Sequence, residues 1–245
     1  MATPRTLKDR WGKPLKVKAV FFDIGGTLVY GNLKHLDLLH QALVVIGYKV
    51  ARDRVLEAND LARRAVARRR RRIAVRMDAN DASRMWLDHL ATGLGLDIDR
   101  ADLERELALA IRQIEARSQE LVDPEAPPLL ERLRARQLRL GVISNWAADL
   151  PDYLAEKGLA KYFDAIIASE AVGSSKPHRQ IFLHGLTVVG CAPDEAVHVG
   201  DDYWADVVGA RGIGMHPVLL DRDGEAVHSD DCLTIARLGE LEYLL

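Results

Sequence analysis

The chain has 245 residues, and its 34 lysines and arginines nearly balance 36 aspartates and glutamates, for a formal net charge of -2. That balance offers no general attraction to nucleic acid or to an anionic membrane, so neither is expected as a partner. Cys191 and Cys232 form no CxxC pair or disulfide framework. No charged-then-apolar leader opens the sequence and no apolar run is long enough to span a membrane, so a cytoplasmic protein is expected.

After a polar arm, MATPRTLKDRWGKP, the first strand is predicted in KAVFF, an apolar run that stops at Asp23. The run is followed at once by Gly25, Gly26 and Thr27. Helical patterns then come in succession over 33–47, 52–77, 80–92 and 100–118, with no strand-like stretch of comparable strength between them. DPEAPP at 123–128 marks a change of pattern. Beyond it, strands and helices alternate: a helix over 127–137, a strand in LRLGVIS before Asn145, a helix over 151–159 and a strand in DAIIAS at 164–169. A helix over 179–190, a strand in AVHVG before Asp201 and a last strand in HPVLL at 216–220 complete the series. The strand runs are continuously apolar rather than alternating, as strands covered on both faces are. The expected fold is therefore α/β, a Rossmann-like doubly wound parallel sheet interrupted by an α-helical insertion. Residues 1–30 and 121–245 would form the core, and 31–120 the insertion.

In such sheets ligands bind beyond the carboxyl ends of the strands. The chemistry-bearing residues of this sequence gather there. The first strand ends in Asp23 with Thr27 nearby, the second in Ser144 and Asn145. The loop GSSKPHRQIF carries Lys176, and the fourth strand runs into GDDYWAD, with Asp201, Asp202 and Asp206. A nucleophilic carboxylate, hydroxyl and amide donors, one cation and further carboxylates make a set suited to phosphoryl transfer, where positioning and charge neutralisation supply most of the catalysis. Carboxylates facing a phosphate dianion repel it unless a cation bridges them, and all-oxygen ligands favour Mg²⁺.

These four motifs, in this order and at these strand ends, resemble the haloacid dehalogenase (HAD) superfamily of hydrolases, and the helical insertion resembles the cap of its subfamily I. The resemblance implies that Asp23 is the nucleophile that becomes an aspartyl-phosphate. It implies a magnesium ion held by Asp23, the carbonyl of Gly25 and Asp201, with Asp206 orienting the metal shell. Ser144 and Lys176 would hold phosphate oxygens, Lys176 would also screen Asp23, and Thr27 and Asn145 would support substrate binding. The implied activity is hydrolysis of a small phosphate monoester, with a small phosphorylated substrate as the partner.

One position departs from the family's phosphatases, which carry an aspartate two residues after the nucleophile as general acid and base. Gly25 stands there. It can lend a carbonyl to a metal but can move no proton, and losing a positioned acid/base costs about 10² to 10⁴-fold in rate. The same feature favours an alternative: a non-hydrolytic HAD-fold protein that binds a phosphorylated ligand or a protein partner. Dehalogenases lack the second acid and need no metal, but this chain keeps the acids of GDDYWAD. Phosphonatases add a cap lysine, and no lysine lies between Lys49 and Lys157. His35 and Asp37 are alternative proton carriers. The arginine run over 63–77 reads as a solvated helix face, and the sharper reading gives Arg68 to Arg72 a grip on an anionic substrate.

Overall fold

The computed structural model describes residues 16–31, 35–72, 79–115, 120–222, 224 and 232–245. The chain forms two compact units. One holds the residues up to Tyr30 together with Val122–Leu245; the other is Gly31–Leu121.

The first unit is built on six strands, β1 (Ala19–Phe22), β4 (Arg139–Ser144), β5 (Ala165–Ala168), β6 (Ala196–Gly200), β7 (His216–Leu220) and β8 (Leu233–Ile235). Their order across the sheet is β5-β4-β1-β6-β7-β8, and all pairs are parallel. The chain runs outward from β1 through β4 to β5, then returns to β6 on the opposite side of β1 and runs outward again. This reversal puts a crevice at the carboxyl ends of β1 and its neighbours, which is where a doubly wound sheet binds ligands. Strand β1 shows why both faces must be covered. Val20 and Phe22 pack with Leu129, Leu130 and Leu133 of α5 (Ala126–Ala135) in one buried cluster. Ala19 and Phe21 point the other way and pack with Ile181, Phe182 and Leu186 of α8 (Arg179–Val189) in another. The period of two along a strand sends consecutive side chains to opposite faces, so an unbroken AVFF run needs a helical layer on each. The remaining helices of this unit are short, among them α6 (Leu150–Glu156), α7 (Ser169–Val172), and a π-helical stretch, Tyr203–Val208, that continues into α9 (Gly209–Arg211).

The second unit consists mainly of four helices, α1 (His35–Val45), α2 (Arg52–Arg72), α3 (Ala79–Leu94) and α4 (Arg100–Glu115). Their core is made by residues such as Leu39, Leu43, Val55, Ala62, Leu90, Leu103 and Leu107. The helices expected over 52–77 and 100–118 extend into residues 73–78 and 116–119, which lie outside the described residues. Two three-residue strands, β2 (Val29–Gly31) and β3 (Glu120–Val122), pair where the chain leaves the first unit and returns to it. Three residues carry no periodicity, so neither strand shows in the sequence pattern, and the same holds for β8. No helix among the described residues is long and apolar enough to cross a membrane.

Candidate active site

Asp23 follows β1 directly, and its backbone N–H donates to the carbonyl of Val199 on β6 at 2.9 Å. The strand end is thus fixed before its side chain turns toward the loops. The turn beyond it depends on Gly26, whose φ of +73° lies in the left-handed region. A Cβ there would also lie 2.1 Å from an oxygen of Asp201. Only glycine permits both the backbone conformation and this approach of the Asp201 carboxylate. Thr27, fully buried, donates its hydroxyl to Asp201 Oδ1 at 3.3 Å. By contrast, a Cβ added at Gly25 would meet no atom within 4 Å.

Lys176 is brought in from the loop after α7. Its Nζ lies 2.6 Å from Asp23 Oδ1 and 2.6 Å from Asp206 Oδ1, and the side chain is almost wholly buried. Asn145, at the end of β4, holds the lysine's backbone from both sides. Its Oδ1 accepts the Lys176 N–H at 2.7 Å, and its Nδ2 donates to the Lys176 carbonyl at 3.1 Å. The residue expected to support the substrate therefore also sets the position of the cation. Ser144, at the end of the same strand, is buried, and its side chain acts to lower the Asp23 carboxyl.

Asp206 stands in the π-helical stretch after β6, and this stretch is capped by Asp202. Asp202 Oδ1 accepts the N–H groups of Trp204 at 2.6 Å and Ala205 at 2.8 Å. Among the three acids of GDDYWAD it is the capping residue, a role typical of aspartate at a helix start. Its own N–H donates to Asp206 Oδ2 at 3.1 Å. Gly200 makes room for Asp206, since a Cβ there would fall 2.1 Å from the Asp206 carboxylate.

The electrostatics follow from crowding charge out of water. Burial raises the Asp23 carboxyl most; Lys176 pulls it down, Asp206 pushes it up, and it ends above the ordinary range. Asp201 as a residue is exposed, but the protein atoms packed about its carboxylate, with the charges of Asp23, Asp206 and Asp202, hold it well above the usual value. For Asp206 burial acts upward too, yet Lys176 and then a hydrogen bond from His198 overcome it and hold the carboxyl far below the ordinary range. Desolvation alone would lower Lys176, but Asp206 and Asp23 keep it firmly protonated.

Ligand atoms of Asp23, Asp201 and Asp206 lie within 4.8 Å of one another. The carboxylates outnumber the single ammonium, and every donor is a hard oxygen. That composition fits a small divalent cation such as Mg²⁺.

The other candidates stand elsewhere or beyond description. Asp37 forms an ion pair with Arg52, Nε to Oδ1 at 2.6 Å, within the helical unit. The side chain of His35 lies outside the described residues, as do those of Arg70 to Arg72; Arg68 and Arg69 are exposed. Trp146 packs on Tyr153 with ring centroids 4.7 Å apart. Two residues that contact this cluster or its loops were not read as part of it from sequence. His198, expected as a core residue, is fully buried with Nε2 2.9 Å from Asp206 Oδ1. Arg222, after β7, reaches back to the turn beyond Asp23. Its Nη2 donates to the carbonyl of Thr27 at 2.7 Å, its Nε to that of Gly26 at 3.4 Å, and Nη2 pairs with Asp123 Oδ2 at 2.6 Å. Its guanidinium also lies over the ring of Tyr30, 5.1 Å from the centroid.

Comparison with known proteins agrees with this architecture. The chain is 37% identical over 138 residues to the haloacid dehalogenase-like hydrolase domain-containing protein 3 of Xenopus laevis, covering 55% of this chain and 56% of that one. It is 38% identical over 119 residues to a phosphoserine phosphatase of Thermus thermophilus, covering 48% and 47%. The chain thus spans about half the length of these curated relatives. Among solved structures, a 2-haloacid dehalogenase from Pseudomonas syringae superposes with a TM-score of 0.53 at 25% identity, covering 92% of this chain and 96% of that one. The family model of haloacid dehalogenase-like hydrolases matches residues 17–214, from just before β1 to beyond the last acid of the cluster, and the chain belongs to that family.

Proposed function

We propose that the protein is a Mg²⁺-dependent phosphohydrolase that acts on a small phosphate monoester through an aspartyl-phosphate on Asp23, with residues 1–30 and 121–245 as its HAD-type core and 31–120 as its helical cap. The observation that carries this reading is the buried Lys176 ammonium, 2.6 Å from both Asp23 and Asp206, beside three converging carboxylates. Asp23, the carbonyl of Gly25 and Asp201 would hold the ion, and Asp206 would orient that shell. When bound, it would neutralise charge between the carboxylates and the phosphoryl oxygens.

The chain's own residues then divide the work. Lys176 and Ser144 hold two phosphoryl oxygens, while Thr27 and Asn145 keep Asp201 and Lys176 in place. An oxygen of Asp23 forms a bond to phosphorus as the ester bond breaks, and the electron pair leaves on the substrate oxygen. Water then attacks the aspartyl-phosphate, frees Asp23 and yields inorganic phosphate. Gly25 supplies no proton in the first step and accepts none in the second, so the second step is slow.

Phosphatase relatives support phosphoryl transfer, and the acids at 201 and 206 weigh against the metal-free dehalogenation that Gly25 by itself would permit. The test is rapid mixing with p-nitrophenyl phosphate, whose weakly basic leaving group needs no acid. A Mg²⁺-dependent burst of about one equivalent followed by slow release supports the proposal. Burst-free release at a sustained high rate would assign the proton transfers to another residue. No release at all would favour the second reading that Gly25 suggests, a protein that binds a phosphorylated ligand or a protein partner without hydrolysing it.

A further inference from the structure

His198 lies in the middle of β6, two residues before Gly200, and has no exposed surface. Its ring meets Phe182 of α8 edge-on, with centroids 5.2 Å apart. On that evidence alone any flat apolar side chain would serve. The polar contact distinguishes it: Nε2 is 2.9 Å from Asp206 Oδ1, the same oxygen that takes the Lys176 ammonium at 2.6 Å. The other oxygen, Oδ2, accepts the Asp202 N–H. Asp206 is therefore held by three donors from three places: β6, the loop before α8, and the residue that caps the π-helical stretch.

The direction of the histidine bond follows from its partner. An ionised carboxylate can only accept, so Nε2 carries the hydrogen. Nδ1 is buried and has no hydrogen-bond partner among the described residues. A hydrogen on Nδ1 would be a buried donor with no acceptor among the described residues, which is costlier than a bare lone pair. The ring therefore fixes the carboxylate through Nε2.

We infer that His198 is a positioning residue: by donating Nε2–H to Asp206 it holds the carboxylate that, in turn, anchors the Lys176 ammonium against Asp23. Lysine has a long, flexible stem and a point charge, so the place of Nζ depends on what receives it. With one donor removed from Oδ1, the Asp206 carboxylate can rotate and the ammonium moves with it. A displacement of this kind, away from the reacting atoms, lowers rate by misalignment. The inference rests on the proposed role of Lys176 in phosphoryl transfer for its catalytic consequence, but not for its structural part.

The test uses the full chain and separates these two parts. Long-range ¹H–¹⁵N NMR of the imidazole reads the tautomer, and hydrogen on Nε2 with a bare Nδ1 is expected; hydrogen on Nδ1 would overturn the inference even if no variant folds. His198→Leu keeps similar bulk without a donor, and His198→Gln restores an N–H at the reach of Nε2. Exchange of the Lys176 ammonium protons with water should be about tenfold or more faster in the leucine variant than in the native or glutamine protein. Single-turnover phosphorylation of Asp23 should fall by a similar factor with leucine and recover with glutamine. Native-like exchange and rate in a folded leucine variant would refute the role. Absence of phosphorylation in every form would refute the phosphoryl-transfer reading instead, while tautomer and exchange would still decide the place of His198.

Discussion

Replacing Gly25 with aspartate tests whether the cluster is arranged for complete turnover or only for its first half. The structure sets the cost of the change. Gly25 has no left-handed φ, and a Cβ at that position meets nothing within 4 Å, so neither backbone strain nor a clash opposes the substitution. The opposing term is electrostatic, because a new carboxylate joins a cluster that already holds Asp23, Asp201 and Asp206 beside Lys176. Two like charges about 6 Å apart at an effective dielectric constant of about 20 repel by roughly 3 kcal/mol. A bound divalent cation offsets that repulsion, so the variant should melt lower than the native protein without Mg²⁺ and recover on its addition. The gain lies in proton transfer, since a positioned general acid/base contributes about 10² to 10⁴-fold in rate. The assay is steady-state release of p-nitrophenol, for which the proposed route makes water attack on the aspartyl-phosphate the slow step. Gly25→Asp is expected to raise that rate by at least about a hundredfold and to abolish the burst. A folded, Mg²⁺-responsive variant with no gain in steady-state rate would refute the idea that the missing acid alone limits turnover.

Two further substitutions probe the scaffold around the cluster. Lys176→Met leaves Asp23 and Asp206 facing each other with no cation between them; breaking a buried pair of this kind costs about 3–5 kcal/mol, and a loss below about 1 kcal/mol in urea denaturation would contradict the buried bridge. Arg222→Met removes hydrogen bonds to the carbonyls of Gly26 and Thr27 and the ion-pair partner of the buried Asp123 carboxylate, which still accepts the Glu125 N–H. A loss of about 2–3 kcal/mol is expected on the scale of charge-assisted bonds, and Arg222→Lys should recover less than half, because an ammonium lacks the guanidinium's planar fork. Full recovery with lysine would show that only the charge matters.

Much of the sheet was legible because burial on both faces leaves an unmistakable record. AVFF, LGVIS, AIIA and AVHVG are buried almost throughout, and AVFF, LGVIS and AVHVG run directly into Asp23, Asn145 and Asp201. Asp23, Ser144, Lys176, Asp201 and Asp206 could be singled out because each directly follows, or lies near, such an ending. What escaped were elements too short to show a period, β2, β3 and β8, and the π-helical form of Tyr203–Val208. That last element follows from contacts a sequence does not display, with Asp202 capping it and the Asp206 carboxylate fitted over Gly200.

The supporting residues were illegible for a different reason. A histidine inside AVHVG, with apolar neighbours on both sides, is most economically a core residue, and by burial it is one. Only the approach of Asp206, eight positions later, turns its Nε2 toward a carboxylate. Arg222 is harder still, since it acts on residues almost the whole length of the chain away, and nothing in LLDRDG marks it. Both cases share one physical cause. A reacting group must stand at a strand end, so topology exposes it to a reader of sequence; a group that holds it can come from any segment that the fold brings alongside. Asn145 lies between the two classes. Its place at the end of β4 marked it as part of the site, but its two bonds to the Lys176 backbone make it a support for the cation as well. The motif positions therefore mark where the candidate site lies, while its residues are held in place also by others, such as His198 and Arg222, that no motif contains.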